Sequence, residues 1–250
     1  MIDWGGVLTP PLDKVISAWM SADGVAEDHF REVMRRWVGL RDGENDGDRN
    51  DDGHDDGHGE GTNDRDSADA AEDSAYSEAE AAPDQGPAGN SPVHRLERGE
   101  ISTARFEELL AAELTALGSP VAAKGLLRRM LGGLERLDED MAGLLRRVRA
   151  AGLRVALLSN SWGDHYPEDA WDGLFDAIVI SGRVGMRKPE ARIFRHAAAG
   201  IRLRTDECVM VDDLPHNVRG AIAAGMVGVL HRGYDQTRGE LESLFGRTLA

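Results

Sequence analysis

The chain has 250 residues, with 45 Asp and Glu against 29 Lys and Arg, a net charge of −16. Residues 42–92 hold 17 of those acids and two bases, Arg49 and Arg65, so the remainder of the chain is close to neutral. That balance offers no basic stripe for nucleic acid and would be repelled by anionic lipid, and no apolar run approaches the roughly 18 residues of a membrane span.

The chain opens on Met1-Ile2-Asp3-Trp4-Gly5-Gly6-Val7, which reads as a strand fragment. Strands usually run about five or six residues, so the two residues before Asp3 predict a natural form with several more apolar residues upstream. The opening lacks the basic and apolar regions of a signal peptide, and none is expected. Residues 13–21 and 26–38 then carry Val15, Ile16, Trp19 and Phe30, Val33, Met34, Trp37 at helical spacing. Trp19, Phe30 and Trp37 suit either helix packing or the wall of a pocket.

The acidic block follows. It contains no Val, Ile, Leu, Met, Phe, Trp or Cys, cannot bury enough surface to offset its ordering entropy, and is expected to be disordered. His54 and His58 lie among its carboxylates, but a glycine-rich stretch does not pre-organise metal ligands, so the expectation is a solvated, self-repelling tether. Beyond it, Phe106, Leu109, Leu110, Leu114 and Leu117 form another helical stripe.

The second half alternates strand-like runs with helices, the pattern of a parallel sheet. The runs are 153–159, 176–180, 207–212 and 226–230. Asp138 is placed to cap a helix that runs to Arg149 and closes at Gly152; Pro189 is expected in the first turn of a helix reaching about Ala199. Pro215 should open a helix that stops at Gly225. Cys208, the only cysteine, excludes an internal disulfide and points to a reducing, cytoplasmic compartment. Its apolar neighbours make it a small core residue.

Four places set reactive groups at the ends of strands, where ligands bind in parallel α/β sheets. They are Asp3, Ser159-Asn160 in LLSNSW, Lys188 in GMRKPEARIF, and Asp212-Asp213 in VMVDDLPHN. Carboxylates at neighbouring strand ends cannot all stay ionised without a cation, so Asp3, Asp212 and Asp213 imply a hard, oxygen-liganded ion such as Mg²⁺. With that charge in place, the Asp3 carboxylate can attack phosphorus, Ser159 can hold phosphate oxygens, and Lys188 can oppose the charge that develops.

In this order the four stretches resemble the four motifs of the haloacid dehalogenase (HAD) superfamily. GMRKPEARIF, RGEIS and VDD look like the branch that holds sugar-phosphate phosphatases and the N-terminal phosphatase domain of epoxide hydrolase. The resemblance implies an α/β, Rossmann-like parallel-sheet core with a helical cap inserted after the first strand. The core would comprise residues 1–12 and 136–250, and the cap 13–135, interrupted by the disordered block at 42–92. It implies Asp3 as nucleophile, Ser159 and Asn160 as the phosphate-holding pair, and Lys188 as the steadying lysine. Asp3, the carbonyl of Gly5, and Asp212 or Asp213 become the ligands of Mg²⁺. A small phosphorylated metabolite is the expected partner, and the oligomeric state stays open.

One departure bears on activity. The superfamily's phosphatases usually carry a second Asp two residues after the nucleophile, as general acid and base, and here that residue is Gly5. A positioned acid–base contributes about 10²–10⁴ in rate, so a slow phosphatase is the leading expectation. Asp164 or His165, in the loop after Asn160, are candidate substitutes with structural roles favoured for both. The alternatives are a catalytically weak phosphate-binding or regulatory protein with an acidic tether, and a haloacid dehalogenase, which the retained Asp212-Asp213 pair disfavours. Trp162 and Tyr166 are expected to border the site.

Overall fold

A computed structural model describes residues 1–38, 91–163, 166–171 and 173–249. The acidic block up to Asn90, with His54 and His58, lies outside the described residues, as do Asp164 and His165. The block's last two residues belong to an ordered element instead. Ser91 is buried and caps α3 (Pro92–Glu97), its hydroxyl accepting from the Val93 amide, and Pro92 occupies the first turn, where a missing N–H costs nothing.

Two helices precede that point, α1 (Leu12–Asp23) and α2 (Glu27–Val38), and two follow it, α4 (Thr103–Leu117) and α5 (Leu126–Leu131). Their apolar stripes meet in one cluster that includes Trp19, Phe30, Val33, Phe106, Leu110, Leu114 and Leu127. Trp19 meets Phe30 edge-on at 5.8 Å and Trp37 meets Phe106 at 5.4 Å, so these aromatics hold helix to helix. Glu107, buried in the same stripe, accepts from the Gly125 and Leu127 amides and so satisfies the start of α5.

From α6 (Glu139–Ala150) onward the chain alternates as its sequence predicts. The Asp138 carboxylate caps α6 through the Met141 amide, and Gly152 ends it with a φ of 81°. Strands β1 (Ala156–Ser159) and β2 (Ala177–Ile180) pair in parallel, as do β3 (Val209–Asp212) and β4 (Val227–Leu230). Each is shorter than its apolar run because the first residues of the run are the approach from the preceding turn. The N-terminal segment joins the two pairs. Ile2 bridges Leu157 on one side and Val211 on the other, both in parallel register, giving the order β2-β1-(N-terminal segment)-β3-β4.

Helices cover both faces. Ile2, Leu157 and Val211 pack with α6 and with α10 (Tyr234–Phe245); Ala156, Leu158 and Met210 pack with α8 (Ala191–Gly200) and α9 (Pro215–Ala223). This alternation of neighbours along each strand is the period of two that a sheet buried on both sides requires. Cys208 is 5% exposed within the second cluster. Pro189 differs from expectation: α8 begins at Ala191, two residues later. The backbone of Lys188 is tied on both sides to the Asn160 side chain, which anchors the approach to the end of β1 before the helix can start. A short helix, α7 (Ser181–Val184), follows β2. Among the described residues, no helix is long and apolar enough to cross a membrane.

Candidate active site

Because every strand runs the same way, the residues at their C-terminal ends gather on one edge of the sheet. Asp3 leaves the N-terminal segment there, Ser159 ends β1, and Asp212 ends β3 with Asp213 next in the chain. Lys188 arrives from the loop between α7 and α8. It is wholly buried, with Nζ 2.8 Å from Asp3 Oδ1 and 2.6 Å from Asp212 Oδ2. Asp3 Oδ1 also accepts from the Trp4 amide at 2.7 Å, and both contacts therefore fall on one oxygen. The other Asp212 oxygen accepts from the Leu214 amide and from Asn217 Nδ2, each at 3.0 Å.

The site carries more negative charge than Lys188 can balance. Burial, reinforced by the charges of Asp212 and Asp213 and opposed by Lys188, raises Asp3 to about 8. Burial and the Asp212 charge raise Asp213 to about 6. Burial by itself would lower the Lys188 ammonium, yet Asp212 and Asp3 outweigh it and hold the group above its ordinary value. Acid and base alike are pushed toward retaining protons, the signature of surplus negative charge in a poorly solvated place.

A divalent cation fits this surplus. Asp3, Asp212 and Asp213 each offer an oxygen, and the three oxygens lie within 4.8 Å of one another. Asp213 Oδ1 is buried and has no hydrogen-bond partner, a costly condition for a carboxylate that a hard cation relieves. Gly6 is shaped by the same carboxylate: a Cβ there would stand 2.1 Å from Asp213 Oδ2, and its φ is +76°, so only glycine lets backbone and carboxylate approach this closely. Gly5 is different. It lines the cavity, and a Cβ on it would meet nothing within 4 Å.

Ser159 is 3% exposed, and its hydroxyl lies 2.9 Å from the Tyr166 hydroxyl. Burial raises the Tyr166 phenol well above its ordinary value, only partly countered by the Ser159 hydrogen bond, so it stays neutral. Asn160 does something its sequence position did not announce: its Oδ1 accepts from the Lys188 amide at 2.8 Å and its Nδ2 donates to the Lys188 carbonyl at 3.0 Å. Its side chain fixes the lysine backbone.

Two other features escaped the sequence reading. Asn217 stands five residues after Asp212, within the first turn of α9, and that spacing from a strand end was the available signal. Glu97 and Arg187 form a buried ion pair at 2.5 Å, and Trp162 Nε1 donates to the other Glu97 oxygen at 3.1 Å. A buried acid at the end of a short helix leaves no periodicity to detect. Asp3, Gly5, Ser159 and Asp213 open on a cavity of about 240 Å³ whose far wall comes from the helical layer. Trp162 lines it, while Trp19, Phe30 and Trp37 do not.

Comparison with known proteins agrees with this geometry. The sequence pattern of haloacid dehalogenase-like hydrolases matches residues 1–225. A sesquiterpene phosphatase, astK, of Aspergillus oryzae is 33% identical over 140 residues, 54% of this chain and 69% of that protein. A phosphoserine phosphatase of Thermus thermophilus is 35% identical over 119 residues, 45% of this chain and 48% of that one. This chain therefore spans about half the length of the second relative. In fold, a predicted HAD-like family hydrolase of Porphyromonas gingivalis superposes with a TM-score of 0.53 at 16% identity, over 98% of this chain and 95% of that one.

Proposed function

The chain belongs to the haloacid dehalogenase-like hydrolases, and on that footing we propose that it is a Mg²⁺-dependent phosphomonoesterase working through an aspartyl-phosphate on Asp3. The observation that carries the proposal is the buried cluster of Asp3, Asp212 and Asp213 around Lys188, with one carboxylate oxygen left unpartnered. Phosphatases among the relatives support it. In this reading residues 1–12 and 136–250 form the catalytic core and residues 13–135 the cap, interrupted by the acidic block that ends before Ser91. The substrate is a small phosphorylated metabolite.

Asp3, Asp212, Asp213 and the Gly5 carbonyl would hold the cation, which when bound supplies charge neutralisation for carboxylates and phosphate together. The remaining work belongs to the chain. Ser159, with Tyr166 beside it, and the backbone at Asn160 orient the phosphate. Asp3 attacks phosphorus through Oδ2, the oxygen not held by Lys188 and Trp4. The bond from phosphorus to the alcohol oxygen breaks, its electron pair leaves with that oxygen, and the oxygen takes a proton from water. Water then attacks the phosphorus, the bond to Asp3 breaks, and inorganic phosphate leaves with the carboxylate restored. Lys188, fixed by Asn160, opposes the charge throughout. No acid stands at residue 5, so the proton transfers fall to water, and turnover is slow with poor leaving groups.

Hydrolysis of p-nitrophenyl phosphate with Mg²⁺ tests the reading against the isosteric Asp3→Asn variant. A loss on the order of 10³-fold or more is expected for removal of a nucleophile. Equal background in both proteins would instead favour the phosphate-binding, regulatory reading that Gly5 motivates. Release of halide from a 2-haloacid without Mg²⁺ would favour the dehalogenase.

A further inference from the structure

We infer that the cavity above Asp3 is built for an apolar alcohol, so that the substrate is a phosphate monoester with a hydrocarbon-like leaving group and not a polyhydroxylated one; this rests on the phosphatase reading. Four helical elements converge on the cavity, and what they bring is hydrocarbon. Leu12 comes from the start of α1, Val38 from the end of α2, Val93 from α3, Leu131 from α5 and Leu134 from the turn after it, while Trp162 closes the side next to β1. Leu12, Val38, Leu131, Leu134 and Trp162 are only partly buried, so apolar surface remains open to a ligand.

Most of the buried polar groups of the wall are already engaged. Glu97 and Arg187 are bonded to each other, and Glu97 also accepts from Trp162. Buried His94 is partnered as well. Asn160 holds the Lys188 backbone and Asn217 donates to Asp212. Arg128, Glu135 and His216 also line the cavity but are exposed, where water competes for them. A sugar hydroxyl entering here would give up its hydration and find few free partners, which weakens binding about 5- to 150-fold for each such group. A methylene entering here gains about 0.8 kcal/mol, a factor of about four. The same wall that rejects the first class of leaving group therefore selects the second, with the phosphate held at the strand ends and the chain lying against the helices.

The test is a series of n-alkyl phosphates from ethyl to octyl, with glycerol phosphate and a hexose phosphate as polar counterparts and p-nitrophenyl phosphate as the general probe. With Mg²⁺, kcat/KM is expected to rise about three- to fourfold per methylene until the cavity is full, and Leu134→Asp to flatten that rise. A flat or falling series, or faster turnover of the polar esters than of octyl phosphate, overturns the inference and leaves the phosphatase reading standing. No hydrolysis of any ester, p-nitrophenyl phosphate included, overturns the phosphatase reading. Titration calorimetry of Asp3→Asn protein with the same alkyl series then decides the ligand class independently: affinity that climbs with chain length supports the apolar cavity, and affinity equal to that of inorganic phosphate overturns it.

Discussion

In the sheet layer, Asp3, Lys188 and Asp212 are buried at the strand ends and bonded to one another. In the helical layer, charges such as Arg31, Glu27, Arg105 and Glu108 stay at the surface in local pairs. Glu107, the acid buried in α4, is engaged by two backbone amides. The contrast shows how labour divides across the cavity. Electrostatics strong enough to move a phosphoryl group need a place with little water, and the sheet edge supplies it. The helices supply a largely apolar wall, which in the proposed reaction carries selectivity and no chemistry.

The largest effect should come from removing the buried cation. Lys188→Met leaves three clustered carboxylates without their counter-charge, and a loss of about 3–5 kcal/mol is expected, read as a lowered urea midpoint and partly restored by Mg²⁺. On the helical side, Arg105→Ala breaks an exposed pair and should change stability by less than about 1 kcal/mol. If the two variants lost similar amounts, the contrast between the layers would be broken.

A second variant sharpens the contrast within the sheet layer itself. A Cβ at residue 5 meets nothing within 4 Å, so Gly5→Asp can be introduced without a clash at Cβ in a residue that lines the cavity. Turnover of alkyl phosphates, whose alkoxides need a proton, should rise by about 10²-fold. Turnover of p-nitrophenyl phosphate should rise less, because nitrophenolate leaves without a proton and only the second step gains, from the new base. A rise equal for both esters would mean that residue 5 acts through something other than leaving-group protonation.

The fold was legible where periodicity and punctuation coincide. Asp138, Gly152, Pro215 and Gly225 bound α6 and α9 because each has a local backbone reason to stand there, and the stripe through Phe106, Leu110 and Leu114 followed from helical spacing. The gathering of Asp3, Ser159 and Asp212 at one edge was also readable, since parallel strands bring their ends together; Lys188, expected at a strand end, arrives instead from the loop between α7 and α8. What the sequence could not convey are contacts between residues far apart in the chain with no shared period. Asn160 bonds the backbone of a residue 28 positions on, and Glu97 pairs with Arg187 across 90. The start of α8 at Ala191 followed from the first of these contacts, which no local rule around Pro189 contains. Ser91 and Pro92 were grouped with the acidic block by composition, although a serine followed by proline is itself a helix-start signal.

In the proposed reaction Asp3 becomes phosphorylated. With p-nitrophenyl phosphate the first step needs no acid, whereas the second still lacks a base at residue 5, so the intermediate should accumulate. Rapid acid quench during turnover with Mg²⁺, followed by peptide mass analysis, should find one phosphoryl group on the N-terminal peptide at Asp3 and none in Asp3→Asn protein. Turnover that proceeds in the wild type with Asp3 unmodified, or a phosphoryl group carried by another residue, would contradict the account.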